Sequence, residues 1–246
     1  MDVFCALILN ILLPYGAGDS ICSIECESDS FETVFDTNVH VEASVSYPQA
    51  HKTGLLAQYA NETVKKEAHE LHDIFVQEMS PPQEELWEED ADTRTFHYDL
   101  DLVYSTPNLM SFYGSIYQYC GGAHGSVRYL TKTFCQQGDS IRQLTLDDLF
   151  LSGYREWLFR YCEDHFKLNR TGYYSYGDNS WVGFNPGDLD AFLLTEKGLL
   201  LIFQNYVVSG YEDCPITLLI PYAKLSSIAK PGSALLLSPP HSYDAR

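Results

Sequence analysis

The sequence predicts an α+β fold in which one or more antiparallel sheets are covered by a long amphipathic helix and a second helical segment. Three observations carry that prediction. Residues 39–47 alternate apolar and polar side chains, the pattern of a strand with one buried face. Residues 55–79 repeat apolar positions every three or four places, the period of a helix lying on a core. Runs rich in Tyr, Phe, Val and Thr at 109–120 and 126–135 flank a cluster of glycines, as the arms of an antiparallel hairpin do.

In the first strand Val39, Val41, Ala43, Val45 and Tyr47 face one way and His40, Glu42, Ser44 and Ser46 the other, and Pro48 is expected to stop it. The helix buries the stripe Leu56, Ala60, Val64, Ala68, Leu71 and Phe75, and Pro81 ends it. Residues 95–103 form the next strand, with Phe96, Tyr98, Leu100 and Leu102 inward and His97, Asp99 and Asp101 outward, before a turn at Pro107-Asn108. The hairpin follows, its loop being Cys-Gly-Gly-Ala-His-Gly, and a further turn surrounds Gly138. Thr145 to Phe150 starts a short helix with Asp147 and Asp148 near its positive end. Tyr154 to Lys167 continues as a second helix with Trp157, Leu158, Tyr161, Cys162 and His165 on one face. After an irregular aromatic segment at 171–188, strands are expected at Ala191–Thr195, Leu199–Val208 and Ile216–Pro221, followed by a turn of helix from Tyr222 to Leu225.

A chain of 246 residues with 45% hydrophobic and 14% aromatic content buries a core without help from metals or disulfides. Its 34 acidic residues outnumber 15 Lys and Arg, and the net charge of -19 disfavours nucleic acid and anionic lipid as partners. Cations and basic proteins suit such a surface. Part of the excess lies in one run, Glu84, Glu85, Glu88, Glu89, Asp90 and Asp92, which reads as a solvated loop or as a docking patch for a basic partner.

Residues 1–18 have the outline of a secretory signal: an apolar stretch from Val3 to Leu13, then Pro14 and the small residues Gly16, Ala17 and Gly18, but no basic residue ahead of them. No segment reaches the roughly 20 apolar residues of a membrane span, so no transmembrane anchor is expected. Periplasmic or secreted localisation follows. The mature chain would keep Cys22, Cys26, Cys120, Cys135, Cys162 and Cys214, an even number that suits an oxidising compartment and leaves the pairing open.

Few motifs carry chemistry. His69-Glu70-Leu71-His72 spaces its histidines at i and i+3, one short of the helical zinc-protease spacing, and is read as a polar helix face; no metal and no cofactor is assigned. His124 sits among glycines that let a backbone approach a ligand or take positive φ. It can pin the hairpin through backbone carbonyls, bind a ligand together with Gly122, or serve as a base for a thiol such as Cys120. Tyr173, Tyr174, Tyr176 and Trp181 are the other ligand candidates, because such side chains stack on sugars or fill partner pockets.

Taken in order, Tyr47-Pro48 ahead of a long helix, Gly121-Gly122-Ala123-His124 after an aromatic strand, Leu144-Thr145-Leu146-Asp147-Asp148-Leu149-Phe150, and Phe192-Leu193-Leu194-Thr195 through Gly198-Leu199 to Ile220-Pro221-Tyr222 resemble the PdaC/RsiV-like extracytoplasmic module. That module precedes polysaccharide deacetylases and forms the outer domain of the RsiV anti-sigma factor. The resemblance covers about residues 38–226. It implies an N-terminal half at 19–105 and a C-terminal half at 106–228; the tail at 229–246 reads from its own residues as disordered. It further implies a module standing alone, associated with the cell wall and without catalytic residues of its own; in the anti-sigma branch the module senses lysozyme by binding it. The resulting expectation is an exported, non-catalytic binding module for a basic wall-active protein such as lysozyme, or for a wall glycan such as peptidoglycan fragments. The alternative is an envelope-acting hydrolase that uses His124 with a carboxylate or thiol brought near by the fold.

Overall fold

Strand β1 (Ser30–Thr37) opens a six-stranded sheet that continues in spatial order through β2 (Val41–Gln49), β3 (Arg94–Thr106), β4 (Leu109–Tyr119), β5 (Ser126–Gln137) and β6 (Ser140–Gln143). The structure, a computed structural model, describes residues 30–37, 40–50, 54–80, 93–168, 184–208, 210–211 and 215–237. Every neighbouring pair in this sheet is antiparallel except β2 and β3, which run parallel. The cause is the helix α1 (Leu55–Met79) between them, since a crossover returns the chain to the same end of the sheet. The α+β class holds, and its large sheet is mixed.

The period-two residues Val41, Ala43, Val45 and Tyr47 are buried, and β2 runs through Pro48 to Gln49 rather than stopping. Pro48 is tolerated because the β3 ladder ends at Ser46, so from there β2 pairs with β1 alone. Helix α1 presses Leu56, Ala57, Ala60, Val64, Ala68, His72 and Phe75 into the sheet. Its alanines allow a close approach, and His72 takes the buried place expected for Leu71, which is only half-buried. Ser80 closes the helix through hydrogen bonds from its backbone N–H (3.0 Å) and hydroxyl (2.6 Å) to the Val76 carbonyl.

The edge strand β1 is latched to this helix. Glu32 accepts from Lys65 Nζ at 2.8 and 3.0 Å and lies 3.3 Å from His69 Nε2, which also meets the Tyr47 hydroxyl at 3.0 Å. Hydrogen bonds from Lys65 and then Tyr47 hold the Glu32 carboxyl below its usual 4.5. A depressed folded-state value contributes stability above 4.5 that is lost as pH falls through the lowered value. Amide exchange in β1, corrected for intrinsic rates, is therefore expected to accelerate relative to β2 on acidification below 4.5. In Glu32→Gln that pH dependence should vanish; an unchanged profile would show that the latch carries no energy.

A second sheet joins β7 (Phe192–Leu194), β8 (Gly198–Phe203) and β9 (Ile216–Pro221), all antiparallel. Every residue of β8 is buried because both its faces are covered. Leu200 and Ile202 meet Tyr113 and Tyr129 on the outer face of the large sheet. Leu199, Leu201 and Phe203 face Leu158, Cys162 and Phe166 of α3 (Tyr154–Leu168), with the Phe166 and Phe203 rings 5.2 Å apart. The layers are thus α1, large sheet, small sheet and α3. Strand β8 ends at Phe203, short of the expected Val208, where its ladder with β9 stops at Ile216; the next side chain, Gln204, bonds the N–H and C=O of Tyr129 in the large sheet, both at 2.8 Å.

Between the sheets, Thr145 and Asp148 form a capping box on the short helix α2 (Leu146–Leu149), which buries Leu146 and Leu149. Asp147 accepts the Tyr154 hydroxyl at 2.8 Å, so both acidic residues of the Leu-Asp-Asp-Leu-Phe run have local structural partners. Helix α4 (Tyr222–Leu225) follows β9. The expected disordered tail needs correction over its described part: residues 231–232 turn and Ala234–Leu237 form α5, with Ala234 and Leu235 in the core. The apolar run after Gly232 has a hydrophobic cluster to join, which accounts for its order. Residues 238–246 lie outside the described residues, and the boundary at 105/106 falls just before the β3–β4 turn, inside one sheet.

Candidate functional site

Among the described residues, the small sheet packs on the β4–β5 part of the outer face and reaches Val103 of β3. Registry sets one row across that face: Phe35, Ser44, His97, Tyr117 and Val127. Phe35 is 68% exposed. Ser44 Oγ and His97 Nδ1 are 2.7 Å apart, and the His97 ring stacks on Tyr117 at 6.1 Å between centroids and 19° between planes.

Tyr117 in turn supports the loop that carries His124. Gly125 packs so closely that a Cβ there would lie 2.5 Å from the Tyr117 ring, which explains glycine after the histidine. Gly121 (φ +99°) and Gly122 (φ +102°) supply the left-handed backbone that turns the chain, and Gly122 accepts the Tyr119 hydroxyl at 3.0 Å. His124 is exposed, its Nδ1–H donates to the Gly125 carbonyl at 2.8 Å, and its ring meets Tyr211 at 5.5 Å. Tyr211 continues to Tyr206 at 6.3 Å. Tyr206 has φ +68°, an uncommon conformation for a residue with a Cβ, and it leaves the ring 66% exposed. The Asn205 amide, bonded to the Val127 carbonyl at 3.5 Å, ties this turn to β5.

The result is a ledge of rings running from the sheet onto the loop after β8. Its polar surroundings are acidic: Glu42, Asp99 and Asp101 occupy the same face, and β1 to β4 place neither Lys nor Arg there. His69 and His72 do not converge, since His69 meets Tyr47 and Glu32 whereas His72 is buried with Nδ1 3.0 Å from Asp73. Among the described residues no group of three His, Cys, Asp or Glu is placed to hold a metal ion. No Asp, Glu or Cys side chain among them hydrogen-bonds His124.

The candidates Tyr173, Tyr174, Tyr176 and Trp181, and the acidic run Glu84, Glu85, Glu88, Glu89, Asp90 and Asp92, lie outside the described residues, as do Cys22, Cys26 and Cys214. Cys120, Cys135 and Cys162 are free thiols. Burial pushes the Cys162 thiol up to about 12, which suits a packing role and not a nucleophile. Phe35, Tyr206 and Tyr211 were missed from the sequence. The signals available were an Asn-Tyr pair at 205–206 and an apolar residue facing away from the core of an edge strand.

Residues 36–127 match the family model described as Deacetylase PdaC, and residues 147–223 match that of a protein of unknown function, DUF3298. The ledge draws on both segments: His97, Tyr117 and His124 come from the first, Tyr206 and Tyr211 from the second. A crystal structure of a DUF3298 family protein from Pseudomonas aeruginosa is similar, with a TM-score of 0.56 at 16% identity, covering 83% of this chain and 96% of that one. A DUF3298 family member from Bacteroides fragilis gives a TM-score of 0.47 at 18% identity, covering 82% of this chain and 94% of that one. No curated protein matches the chain.

Proposed function

Because the chain belongs to the PdaC/DUF3298 family, with the two domains in tandem, we propose that it is an exported binding module without chemistry of its own. Its acidic, ring-lined ledge would dock a basic wall-active protein of the lysozyme kind. The observation that carries this reading is the row of rings and carboxylates on the outer face of the large sheet. Phe35 is exposed on the face that holds Glu42, Asp99 and Asp101, where β1 to β4 carry neither Lys nor Arg, and Tyr206 is exposed at the far end of the ring ledge. Tyr rings supply rigid contact area at low entropic cost, and the carboxylates steer a cationic partner. The net charge of -19 extends that steering beyond the ledge.

Hydrolysis is less well supported. His124 spends Nδ1 on its neighbour's carbonyl, and a general base needs an orienting group and a nucleophile within hydrogen-bond reach. Among the described residues no helix is long and apolar enough to cross a membrane. The stacked rings favour a second reading, a wall glycan lying on the ledge, since aromatic faces also accept sugars.

Calorimetric titration with a basic lysozyme separates the two. Saturable binding that weakens steeply between low and physiological salt is expected, because opposite charges are screened over about 8 to 10 Å. The Tyr206→Ala, Tyr211→Ala double variant should bind at least about tenfold more weakly, as loss of central aromatic anchors does. Peptidoglycan fragments that bind with little salt dependence, in place of lysozyme, would shift the assignment to a glycan. Silence from both ligands would remove the proposal.

A further inference from the structure

On the far side of the molecule, a pocket lies between the β5–β6 hairpin, α2 and the turn before α5, lined by Gln137, Arg142, Asp148, Lys230, Gly232 and Ser233 among others. In a chain with 15 basic residues against 34 acidic ones, two cations converge here on one carboxylate. Arg142 reaches Asp148 Oδ1 at 3.1 Å through one arm, and its side chain remains 49% exposed. Asp148 Oδ2 is committed to the Thr145 N–H and hydroxyl, both at 2.8 Å. Burial pushes the Asp148 carboxyl up, but the Thr145 hydrogen bonds and the charges of Arg142 and Lys230 hold it below the usual range, so it stays ionised. Lys230 Nζ donates to the Asp147 carbonyl at 2.5 Å.

Those contacts leave the pocket with a surplus of one positive charge and with donors to spare. Ser233 is 4% exposed, and its hydroxyl is buried without a hydrogen-bond partner. A buried hydroxyl without a partner is unfavourable and marks a place where a ligand group is expected. The turn that presents it is fixed by Gly232 (φ +73°), whose carbonyl accepts from Gln137 Nε2 at 3.0 Å.

We infer that this pocket binds a carboxylate, with the free arm of Arg142 and Lys230 supplying charge and the Ser233 hydroxyl donating to the second oxygen. A single negative charge matches the surplus, whereas a phosphate dianion exceeds it and is repelled more strongly by Asp148 than a carboxylate is. The carboxylate comes either from a small organic acid or from the C-terminus of a peptide. The site is remote from the ring ledge and stands or falls apart from it.

The test is titration of the full chain with acetate, acetyl-dialanine and inorganic phosphate at physiological salt, following the backbone amide resonances of Gly232 and Ser233. Saturable shifts from a carboxylate are expected, together with affinity about fivefold lower in Ser233→Ala and more than tenfold lower in Arg142→Gln. Tighter binding of acetyl-dialanine than acetate would support a peptide terminus as the ligand, and equal binding a free acid. Absence of saturation with both carboxylates, a preference for phosphate, or unchanged affinity in Ser233→Ala would overturn the assignment. Ser233→Ala leaves the charge network intact, so it keeps the test informative should Arg142→Gln perturb α2.

Discussion

Replacing Glu67 with Ala is expected to destabilise the fold by about 2–4 kcal/mol, because it strands the partner ammonium in a dry site. Lys132 lies on β5 opposite Phe112, on the face that α1 covers, and its side chain is only 6% exposed. It reaches Glu67 of α1 at 2.5 Å, and Glu67 retains 35% exposure, so the estimate is set toward the lower part of the range for buried pairs. Burial, and then the charge of Glu67, push the nearby Tyr98 phenol well above its usual range. Lys132→Met should behave differently. An unbranched apolar side chain fills the same volume without needing a counter-ion, and the double variant Lys132→Met, Glu67→Leu should fall within about 1 kcal/mol of the parent. Urea denaturation of the parent, Glu67→Leu, Lys132→Met and the double variant gives the coupling directly. Additive losses would mean that water reaches Lys132, and the helix-to-sheet pairing would then be a packing contact alone.

Nothing in the run Leu130-Thr131-Lys132-Thr133 announces that a lysine points into the core, because only the placement of α1 over β5 supplies its partner. The same distinction separates what was legible in this chain from what was not. Helix α1 and the arms of β4 and β5 show in the sequence because each carries a period that local physics imposes. Strand β1 does not: its core-side residues are Glu32, Val34 and Asp36, while Phe35 faces outward, so its alternation points away from the core. In α3 the buried row is Tyr154, Leu158, Cys162 and Phe166, spaced by four. The expected face, drawn through Trp157, Leu158, Tyr161, Cys162 and His165, includes Leu158 and Cys162 of that row but also takes in the half-buried neighbours, where Trp157 stacks on Tyr161 at 5.2 Å. At the candidate ledge the glycine-rich loop singles out His124 and Gly122, since positive φ has a residue signature. Tyr206 and Tyr211 have no such mark. They join His124 only because the small sheet docks on β4 and β5, a tertiary event that no local pattern encodes.

Gly114→Ala is the single methyl group expected to do most damage. Gly114 pairs with Leu100 in the middle of the β3–β4 ladder, and a Cβ there would sit 1.9 Å from the Asp99 carbonyl oxygen and 2.7 Å from the Leu100 Cα. Those atoms are backbone and have no rotamer to change, so the two strands must separate or the pair must break. A loss of about 3 kcal/mol or more is expected, enough to unfold part of the population of a marginally stable domain. Gly121→Ala provides the comparison. Its φ of +99° makes alanine strained, yet nothing lies within 4 Å of the added carbon, and the cost should stay near 1–2 kcal/mol as a purely local conformational penalty. Thermal unfolding of both variants ranks the two effects. Because Asp99 lies on the outer face beside His97, separation of β3 from β4 also displaces the floor of the ring ledge, whereas Gly121→Ala alters only its rim. Gly114→Ala should therefore lose ligand binding at temperatures where its circular dichroism still reports folded protein. Equal stability of the two variants would mean that β3 and β4 lie farther apart at Gly114 than this packing requires.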